Sequence, residues 1–195
     1  MNKGDCICVY FKEVESIFEV SMKRTVWLWE LFGFATVALG GTLLHFLYDW
    51  FGKAIWIAPF SGVNESTWEH MKLLFWPMLV FAVFESFFFM DYTSFWPVKL
   101  RGMLVGLALI PLIFYTYNGV IGKSPDFINI SIFFVAAAVA YFYESRELNL
   151  NQPLSPSATT SVAIITLLAI LFIVFTFNTP KLEIFRDPIT GAYGI

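Results

Sequence analysis

Five long apolar runs separated by short polar stretches organise the chain, over residues 26–48, 66–90, 102–117, 127–143 and 158–177. Each is close to the roughly 20 residues that cross a ~30 Å hydrocarbon core at 1.5 Å per residue. The pattern predicts an all-α polytopic membrane bundle of five transmembrane helices. Polar breaks inside the runs are few: Glu30 and His45 in the first, and in the second Glu85, beyond the polar opening turns that hold Glu69, His70 and Lys72. Pro77 predicts a kink in the second helix, and Pro111 lies inside the third. Gly102-x-x-x-Gly106 and Ala136-Ala137-Ala138 predict faces where helices approach closely. Between the first two runs, residues 50–62 are rich in aromatics but punctuated by Gly52, Pro59 and Gly62, which reads as an interfacial segment. A polar linker at 144–157 carries Pro153 and Pro156.

Composition agrees with lipid as the solvent. Of 195 residues, 58% are hydrophobic and 14% charged, against about 45–50% and about 25% in soluble domains. The net charge of −3 and the absence of a basic run argue against a nucleic-acid partner. The expected surroundings are the lipid bilayer, with homo-oligomers open to the small-residue faces. Residues 1–21 are mixed in polarity and lack the features of a signal peptide. They read as an N-terminal extension, with Met22 the expected natural start, a membrane domain over 22–178 and a C-terminal tail over 179–195. Cys6 and Cys8 form a lone C-x-C, which reads as two ordinary thiols because no second pair completes a metal site.

Alternation of five spans has a consequence independent of orientation. One face collects His45, Asp49, Asn64, Glu65, Glu69, His70, Asn118, Asp126 and Asp187, including both histidines of the chain. His45 and Asp49 are four apart and stack on a helix, whereas Glu69 and His70 are neighbours pointing about 100° apart. A metal site must therefore combine the first two spans. The expected ligands are His45, Asp49 and His70 for a divalent ion such as zinc, with Glu69 and Glu65 as catalytic carboxylates. The competing reading makes Ser66 and Glu69 a capping box and the rest boundary residues. The tail motif Asp187-Pro188-Ile189-Thr190-Gly191 predicts a turn, and docking of the tail on the polar face accounts for its position. The opposite face holds Glu30, Glu85, Lys99, Arg101 and Glu144, for which ion pairing, with Arg101 as partner of Glu85, is the expected explanation.

Lys and Arg divide five against five between the faces, Lys23, Arg24, Lys99, Arg101 and Arg146 opposing Lys53, Lys72, Lys123, Lys181 and Arg186. The basic pair before the first span, with Lys3 and Lys12, tips the expected N-terminus to the cytoplasm and the polar face outward.

The segment Val63-Asn64-Glu65-Ser66-Thr67-Trp68-Glu69-His70-Met71-Lys72 and the tail from Asp187 to Ile195 resemble a family of small prokaryotic membrane proteins of unknown function. The resemblance runs from about Met22 to Ile195 and implies a multi-pass location in a prokaryotic cell membrane, with no activity attached. Three functions compete: a membrane-embedded metal-assisted hydrolase, a small-solute or ion carrier working as an oligomer, and a non-catalytic assembly subunit. The carrier reading is weakened by span centres whose main polar groups are Thr36, Thr42, Tyr115, Ser131 and Thr166.

Overall fold

The computed structural model describes residues 3–122 and 125–195, with side chains from Met22 onward except that of Asp126. The Cys6 and Cys8 thiols, Lys123 and the Asp126 carboxylate, singled out above, lie outside what is described. The elements are α1 (Lys3–Trp50), α2 (Thr67–Ser86), α3 (Phe95–Val120), α4 (Asp126–Leu150), α5 (Ala158–Phe177) and a 3₁₀ turn at Glu183–Phe185. Among the described residues the β structure is a single antiparallel bridge, Arg186 to Tyr193.

Four segments are long and apolar enough to cross a membrane: Met22–Trp50, Phe95–Val120, Phe127–Leu150 and Ala158–Phe177. The protein is a polytopic helical bundle. α2 completes the five and is long enough, 20 residues or about 30 Å, but Glu69, Lys72 and Glu85 make it the more polar helix. All three are buried, because α2 occupies the centre. It packs against α1, α3 and α4, and the 3₁₀ turn covers its start. Charges tolerated inside a membrane bundle face its interior, and Glu69, Lys72 and Glu85 lie on the buried side of α2, whose Val80, Val83 and Phe84 are exposed.

Three helices outrun their apolar stretches, α1 because it already begins at Lys3. α3 begins at Phe95, so Lys99 and Arg101 are helical, and α4 continues through the expected linker to Leu150. The extension follows from pairing: Lys99 and Glu144 face inward and are buried, so apolarity alone does not bound the helix. α4 stops at Asn151, whose φ of 43° lies in the left-handed region, a common helix terminator.

Close approach rests on small residues. A Cβ on Gly33 would come within 2.5–2.6 Å of Tyr141 and Phe81, and one on Gly40 within 3.2 Å of Pro77. Gly106 faces Leu74 and Ala140, where Ala136, Ala137 and Ala140 are fully buried. The core that results is continuous through α2, with Leu73, Leu74, Phe75, Met78 and Phe81 at its centre.

Candidate metal centre

The segment between α1 and α2 fixes the site. Ser61 Oγ donates to the Leu44 carbonyl and accepts the Tyr48 N–H at 3.0 Å, tying the loop to the end of α1. Lys72 Nζ donates to Ala58 O at 2.8 Å and Trp76 Nε1 to Pro59 O at 2.9 Å, tying it to α2. The next four residues form a braced turn. Asn64 Oδ1 accepts the Ser66 N–H at 2.9 Å, and Ser66 Oγ accepts the Glu69 N–H at 3.4 Å. This is half of the predicted capping box. The Glu69 carboxylate does not reach back to Ser66; it accepts from Val63 N–H at 3.0 Å and pairs with Lys72 at 2.6 Å. Lys72, fully buried, also donates to Thr176 of α5 at 3.0 Å.

Glu65 projects from this turn between two imidazoles. Its Oε1 lies 3.6 Å from His45 Nε2, and its Oε2 lies 3.6 Å from His70 Nε2. One ligand atom from each of the three residues falls within 4.8 Å of the others. In a tetrahedral zinc site with bonds of about 2.0–2.1 Å, ligand atoms stand about 3.3–3.4 Å apart. The two Glu65–histidine separations of 3.6 Å are close to that spacing. His70 Nδ1 is 2.9 Å from Ser66 O. With its proton on Nδ1, donated to that carbonyl, the Nε2 lone pair faces Glu65, which is how outer hydrogen bonds orient metal-binding histidines. Three such groups around a tetrahedral ion would leave a fourth position open, as catalytic sites do.

The trio borders a two-lobed cavity. The larger lobe, about 410 Å³, runs between α1 and α4 and is lined by Gly41, Thr42, Phe46, Ile130 and Phe134. The smaller, about 240 Å³, lies between α3 and α4 beside Ile110, Phe114 and Asn118. Glu65, His70, Asn129, Phe133 and Ile189 line both. Ile189 comes from the C-terminal segment, which lies against this face. There Asp187 accepts from Ile189 N–H at 2.8 Å and Thr190 Oγ1 at 2.7 Å, and Asn64 Nδ2 donates to Gly194 O at 3.1 Å. Phe185 packs on Trp68 at 4.7 Å between ring centroids.

Of the residues expected from sequence, His45 and His70 stand together with Glu65. Asp49 does not join them: it is exposed on the last turn of α1, outside the trio. Glu65, expected as a catalytic carboxylate, lies between the two imidazoles, and Glu69, expected beside it, pairs with Lys72. Sequence reasoning missed Asn129. Its signal was available, a carboxamide three residues into α4, but facing a cavity is a tertiary property.

The other half of the bundle holds a second polar cluster. Lys99 Nζ lies 2.8 Å from Glu30, 2.7 Å from Glu144 and 2.5 Å from Glu85, so one ammonium joins carboxylates of α1, α4 and α2. Phe95 and Tyr141 rings flank it at 5.4 and 5.6 Å. Arg101 is not the partner of Glu85; it reaches outward and donates to Ser155 O at 2.6 Å. Lys99 wins because it sits one helical face inward, where α1, α2 and α4 converge. Gly102 makes the space, since a Cβ there would collide with the Glu144 carboxylate.

Fold and site together define a multi-pass membrane protein with an ionisable trio at one face and a buried ionic lock in the other half. The chain belongs to a family of unknown function, DUF6512, whose model matches residues 18–195. No curated protein and no solved structure matches it.

Proposed function

We propose that His45, Glu65 and His70 hold a divalent metal ion, with zinc the best chemical fit, and that the protein is a membrane-embedded metal-dependent hydrolase. The observation that carries this reading is the trio itself: two imidazoles and a carboxylate converge, one imidazole is held by its other nitrogen, and the open side borders a cavity. Two imidazoles plus carboxylate suit zinc among common metals. A three-ligand ion with an open position activates water at neutral pH and polarises a carbonyl. In ester hydrolysis the water oxygen bonds to the acyl carbon and the carbon–alkoxy bond breaks. One water proton leaves on the alcohol and the other stays with the acid.

Elemental analysis of protein purified without chelator tests the first step. The expected result is close to one zinc per chain, lost in His45→Ala, Glu65→Gln and His70→Ala but kept in Asp49→Ala. Metal-free wild-type protein whose melting temperature is the same in zinc and in chelator overturns it. The proposed location is a prokaryotic cell membrane with the N-terminus cytoplasmic and the metal face outside. In a Cys6→Ser/Cys8→Ser background, an impermeant thiol reagent on intact cells is expected to label Lys53→Cys and spare Arg146→Cys. The opposite pattern reverses the orientation.

A further inference from the structure

We infer that the larger lobe of the cavity is a seat for one acyl chain of a membrane lipid, placing the polar linkage of that lipid at the His45–Glu65–His70 trio. As a statement about substrate, this rests on the metal-site reading above; as a binding site for an acyl chain it stands on separate observations.

The first is depth. Gly41 lies nine residues before the end of α1 at Trp50, and Phe134 lies eight residues into α4. At 1.5 Å per residue these positions are about 12–14 Å below the membrane face, near the middle of a ~30 Å hydrocarbon core. The second is chemistry. Below the mouth the lobe is walled by Gly41, Phe133, Phe134 and Leu73. The polar group there, Thr42 Oγ1, is already bonded to Ala38 O at 2.7 Å. A peptide substrate reaching that depth would leave backbone N–H and C=O groups without partners, which is costly in a membrane interior. A hydrocarbon chain has none to leave.

The third is access. α1 and α4 touch at the floor of the lobe, Gly41 against Phe133, and at their other ends, through Gly33 against Tyr141 and Trp27 against Phe142 at 5.8 Å. Toward the metal face the lobe lies between them, and its rims, Thr42 and Phe46 on α1 and Ile130 on α4, are exposed on the flank of the bundle. The cleft therefore opens sideways, toward where lipid tails already are. Its volume of about 410 Å³ falls in the range of small-molecule sites, about 300–1,000 Å³.

The test is photocrosslinking of the full chain in liposomes carrying a trace of phosphatidylcholine with a diazirine on one acyl chain. Labelled peptides are mapped by mass spectrometry, and metal content is measured on the same preparation. Label is expected to concentrate on residues 41–46 and 129–134. It should fall several-fold in Ile130→Trp and in Thr42→Trp, two variants on different helices that fill the cleft from exposed positions. Both variants should keep the metal, because neither residue is a ligand. Label spread evenly over the lipid-facing helices, or unchanged in both variants, overturns the acyl seat even when metal is bound. Concentrated label on a metal-free wild-type protein supports the seat and overturns the metal reading instead.

Discussion

Lys99→Met probes the ionic lock most directly. The substitution removes the ammonium held within 2.8 Å of Glu30, Glu85 and Glu144, all of them fully or almost fully buried. Methionine preserves most of the side-chain volume, so packing loss is small and the electrostatic change dominates. Removing one partner of a buried ion pair costs about 3–5 kcal/mol, because the remaining charge is left uncompensated. Here three carboxylates lose their common cation, so the upper part of that range is the natural expectation. A 1 kcal/mol loss lowers Tm by about 2–4 °C in a protein of 150–250 residues. The expected fall is therefore about 6–20 °C, read by tryptophan fluorescence during heating in detergent. The carboxylates behave differently. Glu30→Gln, Glu85→Gln or Glu144→Gln each leaves Lys99 with two carboxylates and lowers an excess of negative charge, so each should cost markedly less. Lys99→Met equal to or milder than all three glutamine variants would refute the idea that the ammonium holds the helices together.

Further predictions test local parts of the structure. Gly102→Ala should destabilise the fold and release the lock, because its Cβ collides with Glu144. Gly119→Ala, in the same helix with nothing within 4 Å, should be neutral or stabilising by up to about 1 kcal/mol; comparison of the two melting curves is the check. Ser66→Ala removes the acceptor for Glu69 N–H and should cost about 1 kcal/mol, with some loss of zinc because Glu65 sits beside it. Phe185→Ala empties a buried position against Trp68 and Phe175. It should cost about 3–5 kcal/mol if the neighbours do not collapse, and limited proteolysis should then cut within the last ten residues first.

The five helices were legible because membrane spans announce themselves by length and apolarity, and α5, with no charge in its twenty residues, was bounded correctly at both ends. α3 and α4 were drawn short because Lys99, Arg101 and Glu144 look like span limits until their partners are known. The site was partly legible. Alternating spans put His45 and His70 on one face, but which carboxylate joins them depends on where the 51–66 segment turns. Asp49 stacks on His45 along an ideal helix, yet it faces outward from the bundle. Glu65 lies outside any helix, where spacing rules are silent, and three side chains of that segment hold it in place. Likewise Arg101 and Lys99 differ by two residues, about 200° around a helix, and only the packing decides which faces Glu85.

The central position of α2 has a consequence for how the protein enters the membrane. A charged side chain costs about 2.5–3.5 kcal/mol at a span centre on insertion scales and less toward an end, where Glu85 lies, one residue from the close of α2. Glu69 and Lys72 travel as their own pair, but Glu85 has no cation until Lys99 arrives with α3. Of its other near neighbours, Glu30 is already present and carries the wrong charge, and Glu144 comes later still. α2 with α3 is thus a better candidate for stable residence in lipid than α2 alone. The two are expected to leave the insertion machinery together as a hairpin, so a nascent chain stopped before Lys99 should hold α2 loosely at the machinery, where one extended past Val120 has released it.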